Sequence, residues 1–151
     1  SAHFSMIEKV VGNNYTNEPM AFLLEDSEIQ EEIEPYIMAR IVDFEEFIRQ
    51  YPFDIISIHD DLHFIIDDPI MECNCGDFSL RWDAAGNTIL ERGGTRGETV
   101  RCDIQTLTAM FYGYKRPTYL KRVERLQAND TAVRILEDII PIEQPYFSDY
   151  F

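Results

Sequence analysis

Leu62, Phe64 and Ile66 alternate with His63, Ile65 and Asp67, and Phe78, Leu80 and Trp82 alternate with Ser79 and Arg81. Side chains along a strand point to opposite faces in turn, so this spacing predicts two strands with one buried face each. Asp83-Ala84-Ala85-Gly86-Asn87 is a turn signal between the Trp82 strand and a further apolar pair at Ile89 and Leu90, which predicts a hairpin. Gly93-Gly94-Thr95-Arg96-Gly97 predicts a second turn, leading into a short strand at Thr99–Arg101.

Helical patterns flank this sheet. Tyr36–Val42 has the β-branched content and length of another strand. Asp43 then opens a helix, with Glu46 three residues on in capping-box spacing. Phe44, Phe47, Ile48 and Tyr51 fall at i, i+3, i+4 and i+7, one apolar stripe, and Pro52 stops it. After the strands, Asp103 caps a helix carrying Ile104, Leu107 and Phe111, closed by Gly113. Pro117 suits the first turn of another, with Leu120, Val123 and Leu126 inward. Asp130 is the expected cap of a third, with Ile135, Leu136 and Ile139 inward and Pro141 at its end. Strands followed by helices predict an α+β fold, a mostly antiparallel sheet with helices packed on one face.

The 151 residues are enough for one core, and 45% of them are apolar. Residues 1–35 differ from the rest. The apolar patch Ala21–Leu24 is followed by Glu25, Asp26, Glu28, Glu31, Glu32 and Glu34, and this part is expected to be an arm or linker. The net charge is −15, from 28 acidic and 13 basic side chains. Such a surface repels phosphate backbones, so nucleic acid is not an expected partner. It attracts cationic amines, or simply keeps the protein in solution. Cys73, Cys75 and Cys102 are an odd set without framework spacing, which points to a reducing, cytoplasmic setting. No run of about 18 apolar residues suggests a membrane span, and no signal peptide or initiator Met stands at the start. The chain therefore reads as a piece of something longer.

Motifs for chemistry are sparse. Gly93–Gly97 lacks the spacing and the Lys-Ser/Thr pair of a phosphate loop. Cys73-Asn74-Cys75 offers two thiols where zinc needs four ligands, and no metal is expected. His59-Asp60-Asp61-Leu62-His63 packs two imidazoles and two carboxylates into one segment, but leads into a strand whose side chains diverge. The end of the chain is unusual. Pro145-Tyr146-Phe147-Ser148-Asp149-Tyr150-Phe151 is aromatic where most chain ends are polar. Such rings dock somewhere, either over an apolar patch of their own domain or in a pocket. In a pocket they would carry the α-carboxylate of Phe151 into a partly apolar site, and desolvation would make it a stronger base.

Met38-Ala39-Arg40-Ile41-Val42-Asp43, the short helix and Tyr51-Pro52-Phe53 resemble the entry to one known domain. The likeness continues through Asp67-Asp68-Pro69, Ile104–Thr108 and Gly113-Tyr114-Lys115-Arg116-Pro117, and closes with the aromatic tail. Residues 36–151 thus resemble the C-terminal sterol-carrier-protein-like domain of the "enhanced intracellular survival" group of GNAT N-acetyltransferases. The resemblance implies two preceding acetyltransferase-type domains in the same chain, acetyl-CoA bound to the first of them, and cationic amines as acceptors. No cofactor is then expected in this fragment, which is inactive alone. The resemblance also implies that the chain's own terminal carboxylate, here Phe151, serves as base in the first domain, and that members form homo-oligomers. Some relatives carry an acid at the penultimate position, where this chain has Tyr150. Asp149 stands beside it as the alternative acid, so both are candidate substrate-binding residues.

Two other functions remain open at this point. One is a lipid- or acyl-chain-binding module, with Phe64, Phe78, Trp82 and Phe111 lining an apolar tunnel. The other is a purely structural role in oligomer assembly.

Overall fold

A computed structural model of the chain describes residues 38–55 and 60–143. The ordered elements are α1 (Phe44–Gln50), β1 (Leu62–Asp67), β2 (Gly76–Trp82), β3 (Thr88–Arg92), β4 (Glu98–Asp103), α2 (Ile104–Phe111), α3 (Pro117–Arg122), β5 (Gln127–Ala128) and α4 (Asp130–Ile139). A single 3-10 turn at Glu72–Asn74 interrupts the connection between β1 and β2. The strands form one sheet in the order β3-β2-β1-β4-β5. Three of its four pairings are antiparallel, and β1 with β4 is parallel.

Register explains the sheet's two faces. Phe64 lies opposite Phe78 on one side and Val100 on the other, and Leu62 lies opposite Leu80. All five, with Ile66 and Cys102, are buried in the core. The helices cover this face. From α1, the Phe44 ring meets Phe64 at 5.7 Å and Phe78 at 5.0 Å, both edge-on. Leu107 and Phe111 of α2 and Ile135, Leu136 and Ile139 of α4 join the same cluster. The other face presents His63, Asp77, Ser79, Arg81, Thr99 and Arg101, as period two requires.

Helix ends follow the expected chemistry at most points. Asp43 accepts from Glu46 N at 3.0 Å, and Asp103 accepts from Thr106 N at 2.7 Å. α2 closes in a Schellman motif. Tyr114 N reaches Ala109 O, Gly113 N reaches Met110 O, and Gly113 takes φ 74°. Pro117 occupies the first turn of α3.

Three expectations are corrected. Within Tyr36–Val42, residues 38–42 form no strand, and residues 36 and 37 lie outside the described residues. The backbone groups that a ladder would use are taken by side chains instead: Ile41 N donates to Thr108 Oγ1, and Asn74 Nδ2 donates to Val42 O. Val123 does not face inward but is 42% exposed. α3 stops at Arg122 in a second Schellman motif, with Arg125 N on Leu120 O and Glu124 N on Lys121 O. That motif puts Glu124 at φ 61°, swings Val123 out and brings Leu126 in. Asp130 is not the cap of α4. Asn129 accepts from Ala132 N at 2.8 Å, while Asp130 opens the helix and pairs with Lys121 at 2.6 Å.

The Gly93–Gly97 turn lies close against the polar face. Ser79 Oγ donates to Arg96 O at 2.6 Å and accepts from Arg96 N at 2.9 Å. Gly97 has φ 107°, and a Cβ there would fall 2.1 Å from Asp61 O, at the point where β4 begins beside β1. Two glycine exchanges should therefore have opposite signs. Gly97→Ala should lower unfolding free energy by more than about 3 kcal/mol, since backbone must move and the φ is strained. Glu124→Gly should raise it by about 0.5–1 kcal/mol by relieving the left-handed residue. Urea unfolding of the two variants beside the parent checks both; a neutral Gly97→Ala would show that the turn yields freely.

Candidate functional site

The sequence-derived candidates Asp149, Tyr150 and Phe151 lie outside the described residues, as does the boundary expected near residue 35. The other candidates can be located, apart from His59, which also lies outside. His63 is buried on the polar face, with Nε2 2.6 Å from Asp77 Oδ1. Ser79 sits directly across from His63 in the ladder. These three residue types could suggest a nucleophilic triad, but the Ser79 hydroxyl donates to Arg96 O, so it is tied to the turn. Among the described residues no three His, Cys, Asp or Glu side chains come together as a metal site.

The four rings named for a tunnel are packed against the core. Phe64 meets Phe111 at 6.2 Å, and Phe53 meets Phe111 at 6.2 Å and Trp82 at 5.4 Å. Phe64 and Phe78 are wholly buried, and Phe44 fills the space between them. A shallow groove of about 380 Å³ runs past Arg40, Val42, Phe47, Tyr51 and Tyr112. The Tyr51 hydroxyl at its side donates to Phe111 O at 2.8 Å, and burial pushes its pKa up to about 12, so it stays protonated.

The thiols separate by environment. Cys73 is exposed, and Cys102 is buried and pushed up to about 12 by desolvation and the nearby Asp103 charge. Cys75 Sγ donates to Asp68 O at 3.2 Å and accepts from Asp68 N at 3.3 Å.

The densest polar cluster joins residues that the sequence offered only as separate motifs, not as a site. The Asp68 side chain is fully buried. Its Oδ1 accepts from Ile70 N and Met71 N, both at 3.0 Å, and from the Arg40 guanidinium. Its Oδ2 accepts from Asn74 Nδ2 at 2.8 Å. Asn74, itself buried, also accepts from Phe44 N at 2.9 Å and donates to Val42 O at 3.3 Å. Burial alone would raise the Asp68 pKa, but Asn74, the two backbone amides and Arg40 outweigh it and hold the carboxyl well below the usual range. Asn74, flanked by Cys73 and Cys75, has no sequence signature of this role. The available signal was Asp68-Pro69, a turn-forming pair after a strand.

Residues 44–148 match the family model for the sterol carrier protein domain. The chain belongs to that family. Parts of longer solved chains are similar to it. A conserved protein from Enterococcus faecalis V583, a probable N-acyltransferase, is 32% identical with a TM-score of 0.70. The match covers 78% of this chain and 29% of that one. A GCN5-related N-acetyltransferase from Anabaena variabilis is 27% identical with a TM-score of 0.61, over 70% of this chain and 26% of that one. One from Kribbella flavida shares the fold at 24% identity and a TM-score of 0.61, over 74% of this chain and 28% of that one. The domain thus spans less than a third of the length of each. No curated protein matches the sequence. Among the described residues, no helix is long and apolar enough to cross a membrane.

The Asp68 cluster sets a pH dependence. Its folded pKa is depressed, so its stabilisation is complete above the unfolded value of about 4 and is lost as pH falls below that. Asp68→Asn should cost about 3 kcal/mol near neutrality, leaving Arg40 without its carboxylate. The deficit should hold from about pH 7 to 5 and shrink below about pH 4. Urea midpoints of both proteins across that range test this, and a deficit unchanged in acid would mean the carboxylate charge is not what the cluster uses.

Proposed function

We propose that this chain is the C-terminal accessory domain of a multidomain, cytoplasmic, acetyl-CoA-dependent amine N-acetyltransferase, to which it contributes its terminal carboxylate. The supporting observation is the 32% identity over 78% of this chain to a stretch forming 29% of a probable N-acyltransferase. The sequence motifs from Met38 to Phe151 point to the same setting.

In this reading acetyl-CoA and the acceptor amine meet in a preceding domain of the same chain. The Phe151 carboxylate takes a proton from the ammonium form of the acceptor. The freed nitrogen attacks the acetyl carbonyl, the C–S bond breaks, and the departing CoA thiolate takes up the proton that the new amide nitrogen loses. Asp149 and Tyr150 hold the cationic acceptor beside the base. A net charge of −15 raises the local concentration of amines around the assembled enzyme, a homo-oligomer. The domain alone carries out no transfer. The close packing of Phe64, Phe78 and Phe111 within the core favours this reading over a lipid tunnel through those rings.

The test compares the full-length parent with a version extended by two glycines after Phe151. The extension moves the carboxylate along the chain and leaves every side chain in place. A fall in kcat of about 100-fold or more, at unchanged Tm, is the expected result for loss of a general base. Equal rates would remove Phe151 from the chemistry.

A further inference from the structure

The segment Met38–Asp43 is fastened in an unusual way. Among the described residues it belongs to no helix or strand, and Ile41 is its one buried apolar side chain. What holds it is a set of side-chain bonds around one point. Arg40 pairs with Asp68, Ile41 N donates to Thr108 Oγ1 at 3.2 Å, and Asn74 takes both Phe44 N and Val42 O. Asp68 follows β1 directly, and Asn74 lies two residues before β2. Thr108 is anchored in turn to Ile104 O at 2.7 Å. Three separate sequence motifs, Met38–Asp43, Asp67–Pro69 and Ile104–Thr108, thus converge on one network.

We infer that the Arg40–Asp68–Asn74 network is a joint that fixes the segment entering this domain, and that Arg40 and Asp68 are positioning residues for the parent enzyme's acetyl transfer. The second half rests on the proposed function; the first does not. A segment held by side-chain bonds can be released while the sheet's own ladder stays closed, because local opening draws on few contacts. A charge-assisted pair buried at one end resists that release strongly. In the parent enzyme the preceding domains connect through this segment. A loose joint would let the base wander relative to the acceptor, and small misplacements of a reacting group cost rate steeply.

Arg40→Met is the variant that opens the joint without unfolding the domain. It keeps the aliphatic stem and removes a guanidinium whose Nε is buried with no partner among the described residues. Asp68 retains Asn74 and two backbone donors. Hydrogen exchange on the 151-residue chain should show the Ile41 and Phe44 amides exchanging at least about tenfold faster, with Leu62–Ile66 at the original rates. Arg40→Lys, which keeps the charge but loses the planar fork, should restore part of the protection. Unchanged exchange at Ile41 and Phe44, or acceleration spread evenly over β1, would overturn the joint.

In the full-length parent, Arg40→Met should lower kcat at least about tenfold with KM for acetyl-CoA unchanged. A normal kcat beside fast exchange would leave the joint standing and remove the positioning role. If the two-glycine extension itself leaves kcat intact, the reading of Phe151 fails and the positioning role falls with it, while exchange still decides the joint.

Discussion

A single buried carboxylate organises the edge of this fold. Asp68 sits where β1 ends, and four donors converge on it from three directions: its own following loop, Asn74, and Arg40 on the entering segment. A carboxylate removed from water is costly unless its lone pairs are filled, so the loop must curl back to present Ile70 N and Met71 N. That curl brings Asn74 to the same point, and Asn74 in turn reaches Val42 O and Phe44 N. The first turn of α1 is thereby placed over the sheet, which sets Phe44 between Phe64 and Phe78. One ionised group thus determines where the first core aromatic of the described chain lands.

A second station of the same kind joins the last helices. Arg116 donates to Glu137 Oε2 at 2.8 Å and to the carbonyls of Glu137, Ile140 and Pro141 at 2.8–3.1 Å. It therefore satisfies the end of α4, where helix carbonyls lose their intrahelical partners. Glu137 Oε1 accepts from Thr118 N at 2.9 Å, at the start of α3. Burial of Glu137 would raise its pKa, but the Thr118 and Arg116 bonds prevail and lower it. Here too a partly buried acid is retained because several donors meet it, and the ends of two helices are fixed together as a result.

What was legible in the sequence was what depends on near neighbours along the chain. The strands through Leu62–Asp67 and Phe78–Trp82, the caps at Asp43 and Asp103, and Pro117 in a first turn all rest on local spacing and are found, although His63 and Ser79 on the second face are buried as well. Val123 was misplaced by a local motif, the Schellman turn that ends α3; in the other two failures the deciding partner lies beyond the reach of local spacing. Residues 38–42 have strand-like composition, but a strand needs a free edge, and Asn74 and Thr108 had already engaged those backbone groups. Asn129 and Asp130 are both good caps, and Lys121 settles the matter by drawing Asp130 away. The parallel pairing of β1 with β4 has no local signature, since the hairpin of β2 and β3 lies between them in sequence. The candidate site was less legible than the fold: Asp68 is one acid among 28, Asp68-Pro69 announces only a turn, and its remote donors Arg40 and Asn74 complete the cluster.

The motifs that carried the family likeness fall, among the described residues, on these structural stations. Arg40 and Asp68 meet in the first, Thr108 supports it, and Arg116 builds the second, between Gly113 at the end of α2 and Pro117 at the start of α3. Such residues report a shared architecture and say nothing directly about chemistry, because fold and function are separable. The chemistry therefore rests on the terminal residues and on the greater length of the similar acyl- and acetyltransferase chains. The two arguments are nonetheless linked by mechanics. A base borne on a chain end is only as well placed as the domain that bears it, and proton transfer tolerates little positional spread. An accessory domain in that role gains from ionic fastenings at its entry and between its last helices, since a directional, charge-assisted bond fixes geometry where apolar contact alone permits sliding. That is a physical reason for such a domain to keep a buried carboxylate where an apolar side chain of similar size would serve stability as well.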